Sequence, residues 1–111
     1  MTPENKVRNA VIKWAKAMGL RHKRMHFGRG VKTGFPDDMF LISRRICSAR
    51  IAWTIFIEFK APGRRPSEAQ LQVLRSLQAD GFSAFWTDSP ETAIKCLSAH
   101  MATSAIHVAS R

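Results

Sequence analysis

Ten residues, IAWTIFIEFK at positions 51–60, constrain this chain more than any other stretch. Ile51, Trp53, Ile55, Ile57 and Phe59 fall at alternate positions, so a β-strand here turns all five to one face. The opposite face carries Ala52, Thr54 and Phe56, then Glu58 and Lys60 at its end. A strand apolar enough to be central thus finishes with a carboxylate and an ammonium side by side, followed by Ala61-Pro62-Gly63. Two readings fit. The strand ends at the surface in a solvated ion pair of little energetic consequence, or it runs into a site.

Upstream, Gly34-Phe35-Pro36-Asp37-Asp38 precedes a second apolar run, Met39-Phe40-Leu41-Ile42. Gly and Pro shape a tight approach, and an acid stands at the mouth of the strand. If the two strands are antiparallel neighbours, the acid that opens one meets the Glu-x-Lys that closes the other. Two carboxylates and a lysine then share one place. Hard divalent cations bind such carboxylates, and a phosphodiester binds such cations.

Composition narrows the partners. The 111 residues suit one domain with a real core, and 45% apolar residues argue against disorder. No apolar run approaches ~18 residues and no signal-like segment opens the chain, so the expectation is a cytoplasmic protein with no membrane partner. Cys47 and Cys96 lack C-x-x-C spacing and read as reduced thiols, with one disulfide left open. The 18 Lys and Arg outnumber 8 Asp and Glu, for a net charge of +10, and three of the acids are Asp37, Asp38 and Glu58. A surface this basic favours a polyanion, most simply nucleic acid.

In order, Thr2-Pro3-Glu4 starts a helix with an N-cap, a first-position proline and an acid in the first turn. Val7, Ala10, Val11, Trp14 and Met18 give its apolar face, and Gly19 its stop. Glu4 complements the helix dipole and pairs with Arg8 at i+4. Residues 21–27 (RHKRMHF) form a short edge strand, with His22 and His26 read as solvated or phosphate-facing. The loop at 28–34 is glycine-rich and basic, and Arg29 and Lys32 suit backbone phosphates. Strand 37–43 turns through Arg44 and Arg45 into the central strand. A connector holding Arg64 and Arg65 leads to a capping box, Ser67 with Gln70, and a helix through Leu71, Leu74 and Leu77. Residues 82–87 make a last strand, and a final helix runs from Pro90 to Met101. The domain is expected to span 1–102, with a loosely held tail at 103–111.

This order (one helix, three strands, helix, strand, helix) implies a meander followed by a parallel crossover, an α/β sandwich with the site at the edge of the meander. The motifs then carry a resemblance. Gly34-Phe35-Pro36-Asp37, Glu58-Phe59-Lys60-Ala61-Pro62-Gly63, Pro66-Ser67-Glu68-Ala69-Gln70 and Gly81-Phe82 resemble the VRR-NUC family, the virus-type replication-repair branch of the PD-(D/E)xK nucleases. The resemblance covers roughly residues 7–97. It implies a restriction-endonuclease-like αβββαβ core, a mixed sheet flanked by helices. It further implies a metal-dependent, structure-selective DNA endonuclease, similar to Holliday-junction resolvases, of phage or prophage type and homodimeric.

Carried onto this chain, the resemblance makes Asp37 and Glu58 ligands of Mg²⁺, with Mn²⁺ as substitute, and adds the backbone carbonyl of Phe59. Lys60 would act on the attacking water and the scissile phosphate. Gln70 has two competing roles, helix cap and active-site residue. Arg29, Lys32, Arg44, Arg45, Arg64 and Arg65 would contact the DNA backbone, with branched or junction DNA as the expected partner. Some family members carry an acid on the first helix; here that position aligns with Arg8, and Glu4 lies one turn earlier. Asp38 matches no motif position and should face away from Asp37. Ile46, Trp86, Ile94 and Met101 are the expected dimer surface or else finish the core. The alternative function is a catalytically silent nucleic-acid-binding module on the same fold.

Overall fold

The computed structural model describes residues 1–25, 34–43 and 52–109, with side chains as far as Ala102. The described residues form three helices and one four-stranded sheet: α1 (Pro3–Ala17), β1 (Arg21–Arg24), β2 (Asp38–Ile42), β3 (Trp53–Phe59), α2 (Glu68–Ala79), β4 (Ser83–Thr87) and α3 (Pro90–Ala109). Strand order is β1-β2-β3-β4. The first three strands are an antiparallel meander, and β4 joins β3 in parallel after the α2 crossover. The fold is therefore α/β with a mixed sheet and flanking helices, the restriction-endonuclease-like arrangement expected.

Local chemistry explains the elements. Thr2 Oγ1 accepts from the Asn5 N–H at 3.1 Å, and Pro3 stands at the first helical position, so α1 starts where the sequence says. Gly19 at φ 82° ends it, a backbone state that costs glycine nothing. Leu20 then turns back into the core. Ser67 and Gln70 form the complete capping box of α2. On β3, Ile55, Ile57 and Phe59 are buried on one face as the alternation requires. They pack with Phe40 and Ile42 of β2, Val7, Val11 and Ala15 of α1, and Ala93 and Leu97 of α3. Gln78 of α2 reaches the Ala84 carbonyl at 2.6 Å, and Gln70 reaches Glu58, so α2 serves the face of the sheet that looks away from this core. Gly34 sits at φ +58°, with Ala69 and Val73 of α2 close where a Cβ would project, and only glycine fits.

Two readings are corrected. The inward face of α1 is Val7, Arg8, Val11 and Ala15, while Ala10 and Met18 are exposed. The face is rotated because Arg8 is drawn inside by a buried carboxylate. Its Nε donates to Asp38 Oδ2 at 2.7 Å, with Arg8 1% and Asp38 0% exposed. His22 is neither solvated nor free to face phosphate. Its Nε2 lies 2.6 Å from Asp38 Oδ1 and its ring packs on Phe40 at 4.9 Å. Asp38 does face away from the Asp37 side, as alternation demands, but into the core. There it is held from α1 and β1 at once.

Removing one partner of a buried pair leaves the other charge uncompensated, which typically costs 3–5 kcal/mol. Glu4 also pairs with Arg8, at 3.1 Å, and softens the loss. Asp38→Ala should lower the unfolding free energy by about 3 kcal/mol. Urea denaturation of the two proteins side by side measures this, and a change under ~1 kcal/mol would contradict the bridging role.

Candidate active site

Antiparallel pairing aligns Asp38 of β2 with Ile57 of β3. The preceding residue, Asp37, therefore stands beside Glu58. The Asp37 backbone N–H donates to Glu58 Oε2 at 3.3 Å, a contact across 21 residues of sequence. This place lies between the two central strands, not at an outer edge of the sheet. Glu58 is 2% exposed, although it belongs to the face that carries half-buried Thr54 and Phe56. Lys60 Nζ lies 3.8 Å from Glu58 Oε1. The Glu-x-Lys spacing thus produces the juxtaposition expected of it.

Gln70 uses both ends of its amide. Its Oε1 accepts from the Ser67 N–H at 2.9 Å, completing the cap, while its Nε2 donates to Glu58 Oε1 at 2.7 Å. One residue thereby fixes the start of α2 and the orientation of the buried carboxylate. Both oxygens of Glu58 are engaged by fixed donors, one from the residue that precedes β2 and one from α2.

The electrostatics are those of a site short of positive charge despite the basic chain. Burial, and after it the neighbouring Asp37 charge, push the Glu58 carboxyl up to about 7, against the opposing pull of Lys60. Asp37 is also raised, by burial first, with Arg8 and Arg24 pulling the other way. Arg8 Nη2 lies 3.8 Å from Asp37 Oδ2 and 3.1 Å from Glu4 Oε2. Burial works against the Arg8 charge, but the hydrogen bonds and charges of Asp38 and Glu4 outweigh it and raise its pKa. Sequence reasoning noticed Arg8 only as a departure and an i+4 partner. Its contact with Asp38 spans 30 residues, and no local pattern encodes it.

A cleft of about 540 Å³ opens beside the pair, lined by Pro3, Glu4, Lys60, Gly63, Arg64 and Arg65 among others. The loop carrying the arginines is tied down by Gly63 N–H to Asp88 Oδ2 and Arg64 N–H to the Ala61 carbonyl, both 2.9 Å. Arg65 extends over Trp86 at 6.0 Å. Trp86 pairs with Glu58 in the β3–β4 register. Trp86, Ile94 and Met101 are all half-buried, and Met101 packs against the core. Arg29, Lys32, Arg44, Arg45, Ile46, His26 and Cys47 lie outside the described residues.

The donor set is of the hard-cation type: two carboxylates and a main-chain carbonyl, all oxygen. Among the described residues no group of three His, Cys, Asp or Glu gathers to hold a metal. Mg²⁺ keeps several waters and takes one or two protein carboxylates, so Asp37 with Glu58 fits that ion and not one that requires a full protein cage.

No family model matches the sequence, and no curated protein matches it. Among solved structures, one described as a VRR_NUC domain superposes with a TM-score of 0.67 and 19% sequence identity, covering 88% of this chain and 97% of its own. This chain has the fold of a VRR-NUC domain.

Proposed function

We propose that this protein is a Mg²⁺-dependent DNA endonuclease that hydrolyses phosphodiester bonds in branched or junction-containing DNA. The observation that carries the reading is the meeting of Asp37 and Glu58, with Lys60 beside them, on a VRR-NUC fold in a chain of net charge +10. Asp37, Glu58 and the Phe59 carbonyl would hold the ion. Bound there, Mg²⁺ supplies an activated water and neutralises the charge that develops on the phosphate. The chain's own residues do the positioning. Gln70 and the Asp37 N–H keep Glu58 in one orientation. Lys60 places an ammonium at the same carboxylate, where it can meet a phosphate oxygen and orient water. Arg64 and Arg65 line the adjoining cleft and suit the neighbouring backbone phosphates, contacts that position DNA without reading its sequence. A four-way junction offers two symmetric scissile phosphates, so the reading includes a C2 dimer, the commonest oligomer symmetry.

Four predictions test it, the first on cleavage. Asp37→Ala removes an ion ligand and little of the basic surface. Cleavage of a junction substrate in Mg²⁺ should fall by orders of magnitude while DNA affinity is kept or increased. Equal cutting by the two proteins would refute the assignment. Binding by wild type with no cleavage of any branched or linear DNA in Mg²⁺ or Mn²⁺ would leave the silent binding module.

The second is a pH dependence with a definite sign. The folded protein holds the Glu58 proton to about 7, whereas an ordinary glutamate releases it near 4.5. Stability from this group is therefore complete below 4.5 and lost as pH rises through 7. In EDTA, thermal unfolding should show wild type losing up to ~3 kcal/mol across that window. Asp37→Asn, which removes the neighbouring charge but not the burial, should lessen the loss in part, and Mg²⁺ should offset it by favouring the ionised pair. A third prediction concerns assembly: sedimentation at micromolar concentration should give a dimer, and a monomer that still cuts would exclude paired incision.

The fourth separates the two jobs of Gln70. Ser67→Ala and Gln70→Ala both break the capping box and should each cost about 1 kcal/mol of stability. Only Gln70→Ala also frees Glu58, so it alone should lower the cleavage rate. Equal rates in the two variants would confine Gln70 to capping.

A further inference from the structure

Asp37 and Glu58 could share one divalent ion; a second would need another acid. Glu4 is the nearest one on α1, and the structure shows what occupies it. Its Oε2 lies 3.1 Å from Arg8 Nη2, the nitrogen that also lies 3.8 Å from Asp37 Oδ2. Arg8 Nε is 2.7 Å from Asp38 Oδ2, and the guanidinium lies 5.5 Å from the centre of the Phe59 ring. With 1% exposure and partners on several sides, this guanidinium has nowhere to swing, and arginine does not lose its proton in proteins. A permanent positive charge is built in between Glu4 and Asp37.

We infer that Arg8 takes the electrostatic place of a second divalent ion, so that the site binds one ion per chain and Glu4 is kept out of the ligand set. The inference rests on the nuclease reading and on Asp37 and Glu58 as its ion-binding pair. A second ion sharing Asp37 would lie against a fixed cation in a partly desolvated place, where like charges repel strongly. It would also have to break the Glu4–Arg8 pair to gain its extra ligand. Arg8 is thus a positioning residue. It reaches Asp37 and Glu4 with one nitrogen and ties α1 to β2 through Asp38 with another. If Arg8 merely neutralised Asp38, the number of ions bound would not depend on residue 8.

The test is Mn²⁺ binding to the intact protein without DNA, followed by titration calorimetry and by the spin-resonance signal of free Mn²⁺. Wild type should bind one ion per chain, lost in Asp37→Ala. Arg8→Gln, which keeps a donor for Asp38, should bind two, the first roughly tenfold more tightly than in wild type. Arg8→Lys should stay at one, and Glu4→Gln added to Arg8→Gln should return it to one. A single ion in folded Arg8→Gln overturns the inference. If Arg8→Gln alone does not fold, Arg8→Gln with Asp38→Asn puts a neutral hydrogen-bonded pair in place of the buried ion pair: two ions then support the inference and one overturns it, while two ions in wild type overturn it and leave the nuclease reading intact. No ion in wild type overturns both.

Discussion

Crowding of negative charge at one end of the sheet is the constraint on which this molecule is arranged. Glu4, Asp37, Asp38 and Glu58 all converge there, and a single buried arginine on α1 meets three of them. Like charges in a partly desolvated place raise one another's pKa and destabilise the ionised state. Arg8 pairs with Asp38 and Glu4 and lies near Asp37, whereas among the described residues Glu58 has Lys60 and its hydrogen bonds. The residual strain falls on Asp37 and Glu58, the two carboxylates raised by burial. An incoming cation would gain most where the protein has left the charge least compensated.

The same arrangement divides the neighbouring acids by function. Adjacent positions on a strand point to opposite faces, so Asp37 and Asp38 take different partners, although the Arg8 guanidinium reaches both. Asp38 goes inward to Arg8 and His22 and joins helix, edge strand and second strand in one polar knot within the core. Asp37 goes to Glu58. A frameshift of one residue in β2 would exchange the two and destroy both the knot and the site. Fold stability and site geometry are therefore set by a common register. Among the described residues no buried side-chain nitrogen or oxygen lacks a partner.

Gln70 extends the coupling to the other side of the sheet. Capping α2 and holding Glu58 are mechanically one act, because the amide is shared between the Ser67 N–H and the carboxylate. The helix start is thereby indexed to the end of β3. Gly34, pressed against Ala69 and Val73, indexes the approach to β2 against the same helix. The loop before Asp37 and the helix that bears Gln70 cannot shift independently, which suits a site whose donors must stay aligned without help from a large domain.

Much of this was legible in the chain itself. Alternation from 51 to 60 defined β3 and its two faces, capping residues marked α1 and α2, and the spacing of Asp37 from Glu-x-Lys identified the pair that meets. These are short-range signals, periods of two and caps spanning three residues, so they survive in sequence. The role of Arg8 did not: the sequence shows it as the i+4 partner of Glu4, and its buried partner Asp38 lies 30 residues away. His22 likewise carried no sign that it would pack against Phe40 and meet Asp38. Whether Gln70 was cap or site residue was undecidable locally, because only the crossing of α2 over β3 brings Glu58 to its free end. Sequence alone determined the elements and the chemically informative residues; tertiary structure decided which charges are buried together, because long-range ion pairs are fixed by strand register and helix packing and leave no period behind.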